Sequence, residues 1–363
     1  MRKSDFFNFI FLVVFLYLFS FSVHALSIQY VSHQPKYIDF KAHSQAVISY
    51  TLDEAARVEL RIYDDRDLLI NSISSPGVQE KGMHKLTWKA NDFKNRRVPA
   101  EAYKYVLLAS NANEQVEHDL SDFTGGQQAH VFQLKWDKKN KRVNFKVRKA
   151  SRVNIRVGIK KNGPLMITLS DWLPREHGAH EISWDGYDNS GVFNLNTIED
   201  IEIYAQAFAL SENTIIVGPS ASEVKLIDDI AWKKEFRTRK KAIKPSMKNH
   251  SQQYIENRGD FKVNVVLPDD LKQTADGVAI VKDIVPIRFS LDSKDNQRIL
   301  NDRYEPILFI DGKYFVENEV GFFPMTWNLD TSLLSEGEHY LTINLRGYNG
   351  HLGSASAKIF VQR

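Results

Sequence analysis

The sequence predicts an all-β, multidomain protein: three β-sandwiches in tandem behind an N-terminal export signal. Three observations lead there. Short apolar–polar alternations recur along the chain, a strand-and-turn motif repeats at the spacing of a whole domain, and the first 25 residues read as a sorting segment.

The N-terminus sets the compartment. Arg2 and Lys3 form a positive start, residues 6–21 are an apolar run broken only by Asn8, Tyr17 and Ser20, and Val23-His24-Ala25 offers a small residue at the cleavage point. The run is shorter than the ~20 residues of a membrane-spanning helix. Cleavage after residue 25 is therefore expected, and no second apolar stretch of spanning length follows. The product is expected in the periplasm, at the outer surface or outside the cell. The chain has no cysteine, which excludes disulfides, a lipoprotein anchor and Cys-based zinc sites, so its domains must rest on packed cores. Forty-eight basic against 45 acidic residues give +3, or +2 once Arg2, Lys3 and Asp5 are removed, a balance unlike that of a nucleic-acid binder.

Alternation marks strands with one buried face: Val58, Leu60, Ile62; Tyr103, Tyr105, Leu107; Val153, Ile155, Val157; Val285, Ile287, Phe289, Leu291; His339, Leu341, Ile343, Leu345. Asp311-Gly312 between two apolar runs is a hairpin cue. Gly82-Met83-His84-Lys85-Leu86-Thr87-Trp88 recurs as Gly178-Ala179-His180-Glu181-Ile182-Ser183-Trp184. A matching strand precedes each, Ala56 to Ile62 and Ser151 to Val157. The spacing, about 95 residues, suits a whole immunoglobulin-like sandwich of ~100 residues and exceeds a solenoid unit.

On these residues, with Ile48-Ser49-Tyr50-Thr51-Leu52, Asn91-Asp92 and Val98 to Tyr105, the first repeat resembles the immunoglobulin-like module of the flagellar hook-capping protein. The second keeps Gly178 to Trp184 and Asp185-Gly186-Tyr187-Asp188-Asn189-Ser190-Gly191, with Leu195 to Asp200 replacing the family's Pro-containing turn. The C-terminal third resembles another bacterial immunoglobulin-like module through Ile310-Asp311-Gly312, Trp327 to Thr331 and Gly337 to Ile343. The expected organisation is a signal peptide (1–25), sandwiches over 26–118 and 119–228, a basic linker (229–258) with a short helix near 230–236, and a third sandwich over 259–363. The resemblance implies fold; such sandwiches serve many roles.

Candidate sites follow. His84, His180 and His339 occupy matching positions in three domains and stay in phase with apolar neighbours, so each is expected to bond a nearby carbonyl rather than share a metal. Trp88 and Trp184 fall within the repeat and belong to cores. Trp172 and Trp232 lie outside it and are candidates for exposed contact surfaces. Asp185, Asp188 and Asn189 have the oxygen density of a Ca²⁺ site, but Asp and Asn also close turns, which is the expected role. Residues 232–248 hold Lys233, Lys234, Arg237, Arg239, Lys240, Lys241, Lys244 and Lys248 against one acid, Glu235; they suit an anionic polymer or a solvated linker.

No G-x-S-x-G, H-E-x-x-H or P-loop motif is present, and cysteine catalysis is excluded. The expectation is a non-catalytic binding or scaffolding protein of the bacterial cell envelope, without cofactor, acting in assembly or adhesion on an envelope or surface protein. The alternatives are a polysaccharide-binding protein, which calls for exposed aromatics, and a hydrolase with two carboxylates at a domain junction.

Overall fold

The computed structural model describes residues 25–39, 45–218, 258–300, 303–319, 322–348 and 350–363. The expected signal peptide, but for its last residue, and the expected helix near 230–236 lie outside these. Among the described residues the chain is nearly all β, with 24 strands and one α-helix, α1 (Ser293–Ile299).

In the first sandwich, β1 (Ile28–Gln34), β3 (Ala46–Leu52) and β6 (Gly82–Trp88) form one sheet. The facing sheet is built on β7 (Glu101–Ser110), β4 (Arg57–Tyr63) and β5 (Leu69–Ser74), with β8 (Gln115–His118) on the far half of β7. Period-two alternation puts Val58, Leu60 and Ile62 of β4, and Tyr103, Tyr105 and Leu107 of β7, into one core with Ile48, Tyr50, Leu52 and Trp88. In the second sandwich, β10 (Val131–Asp137), β11 (Arg142–Val147) and β14 (Gly178–Ser183) face the four-stranded order β13 (Leu165–Arg175), β12 (Ser151–Ile159), β15 (Ile201–Ala209), β9 (Gln128–Ala129). In the third, β17 (Val263–Val266), β19 (Ile284–Leu291) and β22 (Met325–Asp330) face the order β18 (Ala279–Val281), β24 (Leu352–Val361), β23 (Gly337–Gly347), β20 (Tyr304–Ile310), β21 (Lys313–Glu317). Three sandwiches with these strand orders make the protein a tandem of immunoglobulin-like folds.

The hairpin cue holds: Asp311 and Gly312 join β20 to β21 with φ of +50° and +73°, the two positive values of a type I′ turn. A Cβ on Gly312 would stand 2.8 Å from Ile159 Cδ1 of the second sandwich, a second reason for glycine there. His339 departs from the expected equivalence. His84 and His180 open β6 and β14, which pair with β3 and β11, whereas His339 opens β23, on the other sheet of its sandwich. The place of β6 is taken there by β22, because Trp327 and Leu329 pair that strand with β19.

One strand breaks the order of beads on a string. β16 (Thr214–Val217) falls within the stretch expected to form the second sandwich, yet it pairs antiparallel with β7 and parallel with β2 (Tyr37–Ile38) of the first. Ile215 and Val217 enter the first core. The resulting order, β2-β16-β7-β4-β5, matches the third sandwich's β18-β24-β23-β20-β21, so β16 fills the place of the last strand. In exchange β9, from the connection that leaves the first sandwich, pairs with the edge of β15 in the second. The first two sandwiches thus trade edge strands. Replacing fully buried Ile215 by alanine is expected to cost about 2–5 kcal/mol, a cavity penalty in the first sandwich, although the residue follows the last strand of the second. Urea unfolding followed at the first core's Trp88 checks this.

Candidate functional site at the junction of the three sandwiches

The outward face of β12 carries the site. Val153, Ile155 and Val157 turn into the second core, so alternation turns Arg152, Asn154 and Arg156 the other way. In a lone sandwich that face would meet water. Here Arg152 and Asn154 are buried. Opposite Asn154 the ladder slips, since Val153 pairs with Leu173 and Ile155 with Ser170. Asp171 and Trp172 are left as a bulge, with Trp172 at φ +54°.

Glu101, the first residue of β7, is the focus. Its Oε1 accepts from Arg152 Nη2 at 2.9 Å and from the Ala102 amide at 2.7 Å, and its Oε2 accepts from Arg258 Nη1. Arg258 Nη1 also stands 3.7 Å from Asp65 of the first sandwich. Arg152 donates in turn to the Trp172 carbonyl at 3.1 Å. The chain runs on from Arg258 into the third sandwich while still bound to the second. The Gly259 amide donates to Asp171 Oδ2 at 2.6 Å, Asp260 Oδ1 accepts from Arg156 at 3.0 Å and from the Leu352 amide at 3.1 Å, and Asp260 Oδ2 accepts from Thr168 at 2.6 Å. A second seam continues this contact. Asn344 and Ser354 bond the Leu165 backbone, Ser190 accepts from the Ser356 amide, and Phe193 lies 4.6 Å from the Tyr340 ring.

Electrostatics decides the ionisation here. Burial works against the Glu101 charge, but the Arg152 and Arg258 guanidiniums overcome it and hold the carboxyl down to about 2. Asp171 is shifted the other way, raised by its burial and by the charge of Asp260. Two carboxylates at a domain junction is what the hydrolase alternative calls for. Both oxygens of Asp260 are already engaged, however, and Asp171 gives one oxygen to an amide and has the other buried. As arranged, the pair ties segments together and offers no free acid or base to a substrate.

Trp172 is buried in this junction at 4% exposure, its ring 5.3 Å from Phe208, and not on a contact surface; the bulge turns it inward. Trp232, Lys233, Lys234, Arg237, Arg239, Lys240 and Lys241 lie outside the described residues. Asp185 and Asp188 serve the turn: Asp185 Oδ1 accepts the Tyr187 amide and Asp188 Oδ1 accepts those of Val192 and Phe193, whereas the Asn189 side chain reaches the third sandwich and donates to the Ser354 carbonyl. His84, His180 and His339 each place Nε2 within 2.6–2.9 Å of the carbonyl four residues earlier. Trp88 and Trp184 donate to carbonyls three residues on, from their cores. Sequence reading missed Glu101, Arg152, Arg156, Asp171, Arg258 and Asp260. Their separations, 51 residues for Arg152–Glu101 and 157 for Arg258–Glu101, leave no local signal.

No family model matches this chain, and no curated protein does. Among solved structures it is similar to FlgD from P. aeruginosa (22% identity over 26% of this chain and 70% of that one, TM-score 0.21). It is also similar to the fibronectin(III)-like modules of Clostridium thermocellum CbhA (11% identity, 93% and 94% covered, TM-score 0.20). A third is a tetra-tandem repeat from the extending region of a large adhesion protein (14% identity, 92% and 74% covered, TM-score 0.18).

Glu101→Gln leaves two buried guanidiniums short of a counter-charge and is expected to cost about 3–5 kcal/mol. Because the folded carboxyl titrates below its ordinary 4.5, its contribution is complete above pH 4.5 and fades as pH falls toward 2. The wild type should therefore lose stability through that window, and Glu101→Gln should lose less of it, as read by thermal unfolding across pH.

Proposed function

We propose that the chain is an exported, non-catalytic scaffold of the bacterial cell envelope that holds protein-binding loops and sheet edges at set positions. The observation that carries this reading is the buried charge junction. Three sandwiches that share the Glu101, Arg152, Arg156, Arg258 and Asp260 bonds resist swinging apart, because separation strands buried charges. The positive, apolar N-terminus supports export. Among the described residues no helix is long and apolar enough to cross a membrane.

A protein partner is favoured over a polysaccharide. Of the five described tryptophans, Trp88, Trp172 and Trp184 are buried and Trp136 and Trp327 half-buried, so no row of exposed indoles is presented to a sugar chain among the described residues. Three exposed apolar side chains stand in connections at one end of the third sandwich. Leu300 follows α1, Phe322 lies between β21 and β22, and Tyr348 lies between β23 and β24. These connections meet: the Tyr348 amide donates to Arg303, the Asn318 amide to Pro306, and the Tyr304 ring lies 5.6 Å from Phe323. Loops at a sandwich end commonly carry recognition.

Affinity capture from the native envelope with residues 26–363, read by mass spectrometry and sugar analysis, tests the reading. One dominant protein retained at high salt is the expected result, and Phe322→Asp should weaken its capture at least tenfold, about 1.4 kcal/mol. Polysaccharide alone, lost as salt rises, would favour the anionic-polymer alternative and make Lys233 to Lys248 the next target.

A further inference from the structure

We infer that the returning strand β16 is an acid-sensitive latch, whose hold on the first sandwich depends on His33 staying neutral. The argument begins with the seat of that strand. The Tyr105 amide donates to the Asn213 carbonyl at 3.0 Å, and the Asn213 side chain returns a bond to the Tyr105 carbonyl at 2.6 Å. The Lys36 carbonyl accepts from the Ile216 amide at 3.1 Å, and the Ile38 carbonyl accepts from Gly218 at 3.1 Å. Beyond these contacts the strand has four residues of ladder on β7 and two on β2.

His33 lies under this seat, at 1% exposure, and touches the residues that make it. Its ring meets Tyr105 edge-on at 5.2 Å. Nδ1 stands 3.1 Å from the Tyr105 hydroxyl and 3.4 Å from Lys36 Nζ. Nε2 is buried and meets no partner at full hydrogen-bond geometry; the Thr214 backbone is the one group that favours a proton on the ring. The groups facing the ring are Lys36 from the β1–β2 connection, the Tyr105 phenol from β7, and the Thr214 carbonyl from β16. Glu212 acts at one remove, through Lys36, and Asp119 is bonded to Asn213 at 2.9 Å. No carboxylate bonds the imidazole among the described residues.

A proton on His33 would therefore put a second positive charge beside Lys36, out of reach of water, and would turn both ring nitrogens into donors, one of them facing the Lys36 ammonium, itself a donor. Burial first, then the Lys36 charge, push the His33 pKa from 6.5 to about 4, with the Thr214 carbonyl partly offsetting them. The sign follows. The released state takes up the proton more readily than the seated one, so the latch is fully held above pH 6.5 and weakens as pH falls toward 4. This window lies mostly above that of Glu101, which opens at pH 4.5. Release would uncover the near half of the β7 edge, a row of backbone groups able to pair with a strand from elsewhere.

Amide hydrogen exchange on residues 26–363, read by mass spectrometry and corrected for intrinsic rates, tests the latch between pH 7.5 and 4.5. In the wild type, protection of 214–217 and 101–105 should fall at least about tenfold below pH 6.5, one factor of ten per pH unit between the two pKa values. Residues 341–345 of the third core should hold their protection. His33→Gln, which keeps a polar acceptor but does not titrate, should flatten the dependence. Unchanged wild-type protection of 214–217 down to pH 4.5, or the same loss in His33→Gln, would overturn the inference. If His33→Gln does not fold at pH 7.5, the wild-type His33 ring is titrated by NMR. Titration in step with exposure of 214–217 supports the latch, and titration near 6.5 with the strand still protected sinks it.

Discussion

The three sandwiches meet at one buried carboxylate, Glu101, that two guanidiniums hold ionised. Glu101 stands where four stretches of chain meet: the start of β7, the end of β16 through its pairing with Val217, β12 through Arg152, and the entry to the third sandwich through Arg258. A charge buried there is tolerable only while both guanidiniums are in place, since an ion in a low-dielectric interior without its partners costs several kcal/mol. Such a cluster adds little net stability over an apolar seam of the same shape.

The traded edge strands act on the same joint. A sandwich whose last strand follows its neighbour's strands in the sequence cannot be completed from one contiguous stretch of chain. Gly218 and Arg258, which flank residues 219–257, both come to Glu101: Gly218 follows Val217, the partner of Glu101 in the ladder, and Arg258 bonds its carboxylate. The third sandwich therefore docks directly against the second, and Arg258, at its entry, reaches the first.

The recurring Gly-x-His shows one local device used in two settings. Gly82, Gly178 and Gly337 all sit at φ between +126° and +133°, and each following histidine bonds the carbonyl four residues back. The motif closes the turn that leads into a strand. That need is the same whichever sheet the strand joins, so the motif marks a strand's start and not its sheet. His33, by contrast, belongs to no repeat, and its position under β16 follows from packing alone.

The sequence by itself determined what short-range physics controls. Alternation placed Val58, Leu60, Ile62, Val153, Ile155, Val157 and Ile343 in cores, Asp311-Gly312 specified its hairpin, and the repeat spacing specified whole sandwiches; each depends on residues a few positions apart or on direct self-similarity. Tertiary structure decided the rest. It buried Trp172, which looked free because it lies outside the repeat, and it sent β16 to the first sandwich. It also joined Glu101 to Arg152 and Arg258 across 51 and 157 residues. The polar face of β12 reads the same in sequence whether water or another sandwich covers it, and only docking brings the opposite charges that make burying it possible.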